Sequence, residues 1–266
     1  ADIEKRVPAL FDARQDKNTE AHPSTFERSD LGVNSLGVFL SQELVRFNEL
    51  ISVMKSTLFQ LQRAIKGIVV MSGPLEAMYN AFLFQQQPPA WEKAGYPCLK
   101  PLASWVEDHF GRLKFMGDWL RMGPQPAYWL PAFFFPQGFM TSVKQTYSRK
   151  YSIAVDTLLI GCEVMSFDQK QATKGPSDGV YIYGLFLEGA RFDRKKMSVS
   201  ESLPGVLFDS VPCIWLKPCL AVDYDPPNVY NCPLYKTSIR AGTLSTTGHS
   251  TNFVVELKLP SKKPET

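Results

Sequence analysis

The stretch GVYIYGLFLEGARFDRK (residues 179–195) decides the fold class of the second half of this chain. Its β-branched and aromatic side chains alternate with other residues as they do in strands, and Gly184 and Gly189 indicate bulges or corners at which a sheet bends. Similar runs occur at 153–165, 206–220, 229–239 and 253–259, separated by turn-forming segments. Several short strands at this spacing predict an antiparallel meander that closes into a small β-barrel.

Residues 35–150 have helical periodicity instead of strand alternation. An apolar stripe with alternating spacings of four and three residues predicts one very long helix over about 35–66, and shorter helices are predicted farther along. The stripe is too wide for a coiled-coil seam, so it is interpreted as the core-facing side of the helix. Its residues are Leu40, Leu44, Phe47, Ile51, Met54, Leu58, Leu61 and Ile65.

Residues 1–34 are polar and irregular, and they are interpreted as a connector. The predicted fold is therefore α+β. An N-terminal helical subdomain with one very long helix (35–150) is followed by a small antiparallel β-barrel subdomain (151–266). A chain of 266 residues is long enough to bury two such cores.

Composition excludes several classes of function. The chain has 29 Lys and Arg against 26 Asp and Glu, and these charges are interspersed, so nucleic acid is not a predicted partner. The most apolar stretch, AYWLPAFFFPQGFM (residues 127–140), is shorter than the roughly 20 residues that cross a bilayer, so no membrane partner is expected. Cysteines without a Cys-x-x-Cys pair, and a start without a signal-peptide pattern, predict a reduced, cytoplasmic compartment.

No pattern in the sequence predicts a catalytic, cofactor-binding or metal site. The segment GTLSTTGHS (residues 242–250) is similar to a phosphate-binding loop, but five residues instead of four separate its glycines, and His249 stands where such a loop requires Lys. The three histidines lie far apart in sequence, without metal-ligand spacing. A hydrolase assembled from scattered Cys, His and Asp residues remains an alternative.

Three charged residues, Arg191, Asp193 and Arg194, follow a predicted strand. The simpler interpretation is the solvated end of a hairpin. The functional alternative is an interface in which the arginine guanidinium groups make bidentate hydrogen bonds to carboxylates of a partner.

Several long motifs identify a resemblance to a known family. GLFLEGAR (184–191), ESLP (201–204) and LSTTGHSTNF (244–253) lie in the strand-rich half. FLSQELVRFNELISVMKSTLFQLQRAIKGIVVMSG (39–73) and FFFPQGFMTSVKQTYSRKY (133–151) lie in the helical half. Together these segments resemble the C-terminal domain of dynein heavy chains, in particular those of the axonemal branch.

The resemblance implies a domain that caps a ring of AAA+ modules and has no catalytic residue or cofactor of its own. Its implied partners are the ring modules of the same heavy chain, with Arg191, Asp193 and Arg194 as candidate ring contacts. Other dynein subunits and microtubules would be reached only through the whole motor, in the cytoplasm of a cilium or flagellum. Proteins of this family continue past KLPSKKPET (258–266), so we expect the strand that closes the barrel to be missing or to come from a neighbour.

The leading hypothesis is therefore a structural and regulatory domain of an axonemal dynein heavy chain. It modulates ATP-driven motility along microtubules through different contacts with the ring in different nucleotide states. The alternative is a free-standing β-barrel module that binds a peptide or a nucleic acid; a basic groove lined with stacking aromatic side chains would favour it.

Overall fold

The protein has an α+β fold with two compact units, and each unit is built from two separate stretches of the chain. The structure is a computed structural model that describes residues 2–12, 21–26, 28–29, 32–221, 229–236 and 253–260. The helical unit comprises residues 1–23 and 40–123, and the strand-rich unit comprises residues 24–39 and 124–266.

The helical unit is built from α1 (Asp2–Arg6), most of α2 (Ser35–Ile65), α3 (Gly73–Leu83), α4 (Pro89–Ala94) and α5 (Leu102–Met122). Helix α2 ends in a Schellman motif, in which Ile68 N–H donates to Arg63 O at 2.9 Å and Gly67 N–H donates to Ala64 O at 3.0 Å. This turn requires positive φ at Gly67, whose φ is 71°. Proline in the first turn of α3 and α4 is compatible with a helix start, because its missing N–H would have no partner there.

The predicted apolar stripe of α2 is buried over most of its length. Leu40, Leu44, Phe47, Ile51 and Met54 are 0% exposed. Leu58 and Leu61 are 5% and 4% exposed, whereas Ile65, in the last turn, is 59% exposed. Three fully buried tryptophans, Trp91, Trp105 and Trp119, complete the core of the helical unit.

The strand-rich unit contains α6 (Pro136–Tyr151) and the described strands. These are β1 (Arg28–Ser29), β2 (Gly32–Val33), β3 (Ala127–Trp129), β4 (Leu158–Val164), β5 (Val180–Tyr183), β6 (Phe186–Glu188), β7 (Ala190–Asp193), β8 (Ser198–Glu201), β9 (Phe208–Ser210), β10 (Ile214–Leu220), β11 (Val229–Tyr235) and β12 (Phe253–Pro260). Two sheets have four strands, in the orders β3-β5-β10-β4 and β12-β11-β6-β9. Two further pairs, β1-β2 and β7-β8, are antiparallel hairpins.

The prediction of a closed β-barrel is wrong. The run from Val180 to Phe192, expected as one bent strand, is divided into β5, β6 and β7, which belong to three different sheets. Gly184 and Gly189 lie at the two joins, with φ of 89° and 66°. These left-handed conformations redirect the backbone, so it leaves each ladder after a few residues.

A barrel also needs one continuous ring of paired strands. The described strands instead form separate sheets of four and two strands. One of them includes the parallel pair β3–β5, so the strand-rich unit is not a purely antiparallel meander.

The expectation that one very long helix belongs to the helical subdomain is corrected as well. The first residues of α2, up to Phe39, belong to the strand-rich unit, and the helical unit begins again at Leu40. Within the strand-rich unit the Phe39 ring packs edge-on against Phe133, with centroids 4.9 Å apart, and against Phe139 at 5.5 Å. Helix α2 is therefore divided between the two units, because Phe39 near its start has aromatic partners in the strand-rich unit.

Candidate interface surface

The three charged residues singled out from the sequence lie on one hairpin formed by β7 and β8. Asp193 is paired with Ser198, and Ala190 with Glu201. The connecting turn is closed by Asp193, whose Oδ1 accepts hydrogen bonds from Lys195 N at 2.9 Å and Lys196 N at 3.2 Å. These backbone donors, that of Lys196 foremost, lower the pKa of Asp193, so the carboxylate stays ionised and holds the turn.

The guanidinium group of Arg194 is bound within the protein itself. Its two terminal nitrogens donate to the two carboxylate oxygens of Asp168, each at 2.9 Å. Asp168 precedes a short 3-10 turn, and its own N–H donates to Gln171 Oε1 at 2.9 Å. The hydrogen bond from Arg194 is the main cause that holds the pKa of Asp168 below its ordinary value. The bidentate geometry predicted for a partner is thus formed with a neighbouring loop of the same polypeptide.

Arg191 is held by the opposite strand of the hairpin. Its Nε donates to Glu201 O at 3.1 Å, and a terminal nitrogen lies 3.8 Å from Asp193 Oδ2. The side chains of Arg191 and Asp193 are 35% and 14% exposed, so both border the solvent. The exposed tip of the hairpin consists of Arg194, Lys195, Lys196 and Met197.

A cleft of about 560 Å³ adjoins this hairpin. Its walls combine the charged groups of Arg191, Asp193 and Lys195 with the apolar side chains of Leu203 and Val206. Leu203 is 55% exposed and Val206 is 40% exposed. Exposed apolar side chains bordered by charged groups of both signs resemble the apolar centre and polar rim of a protein-interaction surface.

Asp209 fixes the hairpin to the neighbouring sheet. Phe192 N donates to Asp209 Oδ2 at 3.3 Å, and Asp209 lies in β9. Sequence reasoning missed both Asp168 and Asp209, which lie 26 and 17 residues from their partners. Such long-range pairs leave no spacing pattern in one sequence, so no local signal identifies them.

A second group of titratable residues lies in the core of the helical unit. His109 is 0% exposed, and neither ring nitrogen has a hydrogen-bond partner among the described residues. Burial, reinforced by Arg112, lowers the pKa of His109 to about 3, so the imidazole is neutral.

Asp108, next in sequence, forms a buried ion-pair cluster. It lies 2.5 Å from Lys100 Nζ and 2.6 Å from Arg112 Nε. Burial raises the pKa of Asp108, but the charges and hydrogen bonds of Arg112 and Lys100 outweigh it, so the pKa is below its ordinary value. The Arg112 guanidinium also lies 3.9 Å from the centroid of the Tyr96 ring. This cluster satisfies its charges internally, which is the arrangement of a structural core.

The sequence analysis also considered metal sites, membrane-spanning segments, cysteine chemistry and a phosphate-binding loop. The described part of the protein contains no group of three or more His, Cys, Asp or Glu residues placed to hold a metal ion. None of its helices has both the length and the apolar character needed to span a membrane. The five cysteines are free thiols. The segment 242–250, with His249, lies outside the described residues.

Comparison with known proteins gives one consistent result. The family model for the C-terminal domain of dynein heavy chains matches residues 1–266. The chain is 44% identical over 264 residues to Dynein axonemal heavy chain 3 of Homo sapiens, a match that covers 99% of this chain and 6% of that protein. It is 44% identical over 263 residues to Dynein axonemal heavy chain 12 of Mus musculus, covering 99% of this chain and 8% of that protein. The chain thus spans less than a tenth of the length of these relatives.

Proposed function

The chain belongs to the family of C-terminal domains of dynein heavy chains, and from this we propose that it is a non-catalytic structural and regulatory domain of an axonemal dynein heavy chain. It packs on the AAA+ ring of its own heavy chain and modulates ATP-driven movement along microtubules in a cilium or flagellum. The observation that carries the proposal is the match over all 266 residues to the family, combined with relatives that are more than ten times longer. A domain of this kind acts through its contacts with the rest of the motor.

The domain would regulate the motor through the energy of its contacts with the ring. A domain that touches the ring differently in two nucleotide states shifts the equilibrium between them by the difference in contact energy. Such coupling energies are typically about 1–3 kcal/mol, which corresponds to roughly 5- to 150-fold in the linked equilibrium. Close-packed interiors have low compressibility, and the core of the helical unit consists of buried tryptophans and buried α2 side chains.

The β7–β8 hairpin is the proposed polar contact with a ring module. This hairpin contains Arg191, Asp193 and Arg194, but the guanidinium group of Arg194 already binds Asp168. The groups offered to a partner are therefore the exposed lysines at the tip, Lys195 and Lys196, beside the exposed apolar side chains of the cleft. Their charge favours an acidic surface on the adjoining module.

A free-standing β-barrel module is not favoured. Its binding groove would require the closed barrel, whereas the described strands form separate sheets. The even mixture of 29 basic and 26 acidic residues also lacks the positive bias of a nucleic-acid-binding protein.

The test is a full heavy chain with and without residues 152–266, assayed for basal and microtubule-stimulated ATP hydrolysis and for gliding velocity. We expect ATP hydrolysis to persist, because its catalytic loops lie in other modules, while velocity or microtubule stimulation changes. A folded, truncated motor with every parameter unchanged contradicts the regulatory role. A folded motor that no longer hydrolyses ATP contradicts the non-catalytic role.

A further inference from the structure

The β7–β8 hairpin contains the only run of three consecutive basic residues in the sequence, Arg194, Lys195 and Lys196. Ser198 follows this run, so basic side chains stand two, three and four positions before its hydroxyl group. Kinases select their substrates in large part by such charge patterns, because an acidic groove on the kinase attracts a basic segment and repels an acidic one. The residues before Ser198 therefore have the charge pattern that a kinase with an acidic substrate groove selects.

The basic run and Ser198 lie at the surface of the strand-rich unit. Arg194, Lys195, Lys196 and Met197 form the exposed tip of the hairpin, and Ser198, the first residue of β8, is half-buried. Among the described strands β8 pairs with β7 alone, so its other edge is not covered by a described strand. An extended segment with an uncovered edge is a form of backbone that other proteins bind.

The two strands of the hairpin are anchored unequally. Strand β7 is fixed through Phe192, which is 6% exposed and whose N–H donates to Asp209 Oδ2 at 3.3 Å. Strand β8 has no buried residue, since all four of its residues are half-buried or exposed. A two-stranded hairpin is marginally stable by itself, so β8 and the turn can separate from β7 while β7 stays in place. Residues 194–198 can thus extend into the groove of a kinase.

A phosphate on Ser198 enters a defined electrostatic environment. Ser198 pairs with Asp193, and Arg191 lies two residues before Asp193 on the same face of the hairpin, within reach of a diagonal contact. A terminal nitrogen of Arg191 already lies 3.8 Å from Asp193 Oδ2. The phosphate carries a charge of about −1.5 to −2, so it repels the Asp193 carboxylate, attracts the Arg191 guanidinium group and offsets the charge of the two exposed lysines. Modification therefore removes most of the positive charge at the tip.

We propose that Ser198 is a phosphorylation site for a kinase that selects basic segments. The hydroxyl oxygen of Ser198 forms a bond to the γ-phosphorus of ATP, while the bond between that phosphorus and the oxygen bridging to the β-phosphate breaks. ADP leaves with the electron pair of the broken bond, and the hydroxyl proton passes to the catalytic aspartate of the kinase. The proposal goes beyond the function proposed above, which assigns no modification to the hairpin.

The test is phosphorylation of the full heavy chain with ATP and the catalytic subunit of the cyclic-AMP-dependent kinase, which selects serines preceded by basic residues. Phosphate incorporation at each serine is followed by mass spectrometry of the peptides, for the native chain and for the heat-denatured chain. We expect Ser198 to be modified in the native chain, and Ser198→Ala to abolish this incorporation. Ser200→Ala, the matched control on the same strand and the same face, should retain it.

The dependence on the basic run is tested by Lys195→Ala with Lys196→Ala, since both side chains are exposed. The initial rate at Ser198 should fall at least about tenfold. Glu201→Gln removes the carboxylate three residues after Ser198, which a kinase with a basic groove would select, and it should leave the rate unchanged. The proposal is overturned if Ser198 stays unmodified in the native chain, whether or not the denatured chain is modified. It is also overturned if Ser200 is modified in its place, or if the rate does not depend on the two lysines.

Discussion

The ring of His109 stacks on that of Trp105, with centroids 5.1 Å apart and planes inclined by only 7°. Both side chains are 0% exposed, and Tyr96 and Phe47 flank the histidine at 6.2 and 6.1 Å. A charged imidazolium in this position would be desolvated and would lie near Arg112. The core of the helical unit is therefore compatible only with the neutral form of His109.

The burial of neutral His109 against Trp105 predicts that the free energy of unfolding depends on pH. The pKa of His109 is about 3 in the folded protein, against an ordinary value of 6.5. Because the unfolded protein binds a proton below pH 6.5 that the folded protein does not bind, stability falls as the pH falls from about 7. The loss between pH 7 and pH 5 should be about 2 kcal/mol.

The measurement is chemical denaturation of the wild type and of His109→Phe at several pH values. The variant should lose the His109 contribution, so its free energy of unfolding should depend less on pH in this range. Asp108, whose pKa is lowered, contributes only at more acidic pH. Parallel pH profiles for the two proteins would show that His109 titrates normally in the fold.

The buried stripe of α2 gives a second prediction. Ile51→Asp places a carboxylate at a side chain that is 0% exposed, and the lost packing plus desolvation should cost about 4 kcal/mol or more. Val45→Asp is the matched control, since Val45 lies on the same helix but is 58% exposed, and it should cost less than about 1 kcal/mol. The measurement is thermal unfolding of both variants, and we expect the lower melting temperature for Ile51→Asp. Similar melting temperatures would mean that the stripe does not face the core.

The glycines at the strand joins give a third prediction. A Cβ at Gly184 would lie 2.6 Å from Trp129 Cδ1, and one at Gly189 would have no atom within 4 Å. Both residues have positive φ, so Gly189→Ala should cost about 1 kcal/mol from backbone strain alone. Gly184→Ala should cost about 2 kcal/mol more, because the indole must move. Equal losses in the free energy of unfolding would indicate that Trp129 adjusts freely.

These residues also show how far one sequence predicts this structure. The spacing of Leu44, Phe47 and Ile51 is local information, and α2 is found over Ser35–Ile65, where that spacing placed a helix over about 35–66. Gly184 and Gly189 were expected at bulges or corners, and they have the positive φ that glycine permits. The sheet in which each short strand pairs depends on contacts between distant segments, so the sequence supported a barrel that the described strands do not form.

The candidate interface was predictable only in part. The hairpin that contains Arg191, Asp193 and Arg194 follows from strand and turn signals, but Asp168, which binds the Arg194 fork, lies 26 residues away. Periodicity shows that α3 has apolar residues on more than one side, but it does not show which side is covered within the protein. Burial of Met78 and exposure of Leu83 are decided by tertiary packing.

The last prediction concerns the tip of the β7–β8 hairpin in the whole motor. Lys195→Glu with Lys196→Glu reverses the exposed charge at this tip while leaving the backbone hydrogen bonds to Asp193 in place. If an acidic ring surface lies against the tip, the double variant weakens that contact in the nucleotide state that uses it. Rim charges typically contribute up to about 1 kcal/mol, so the ratio of microtubule-stimulated to basal ATP hydrolysis should change by about two- to fivefold.

The matched control is Lys55→Glu with Lys93→Glu, which reverses two exposed charges of the helical unit and alters the net charge equally. The two double variants are compared at low and at high salt, because screening should remove the difference if it is electrostatic. An altered ratio in the hairpin variant alone, lost at high salt, is the expected result. Identical ratios for both variants at low salt would mean that the hairpin tip does not contact the ring.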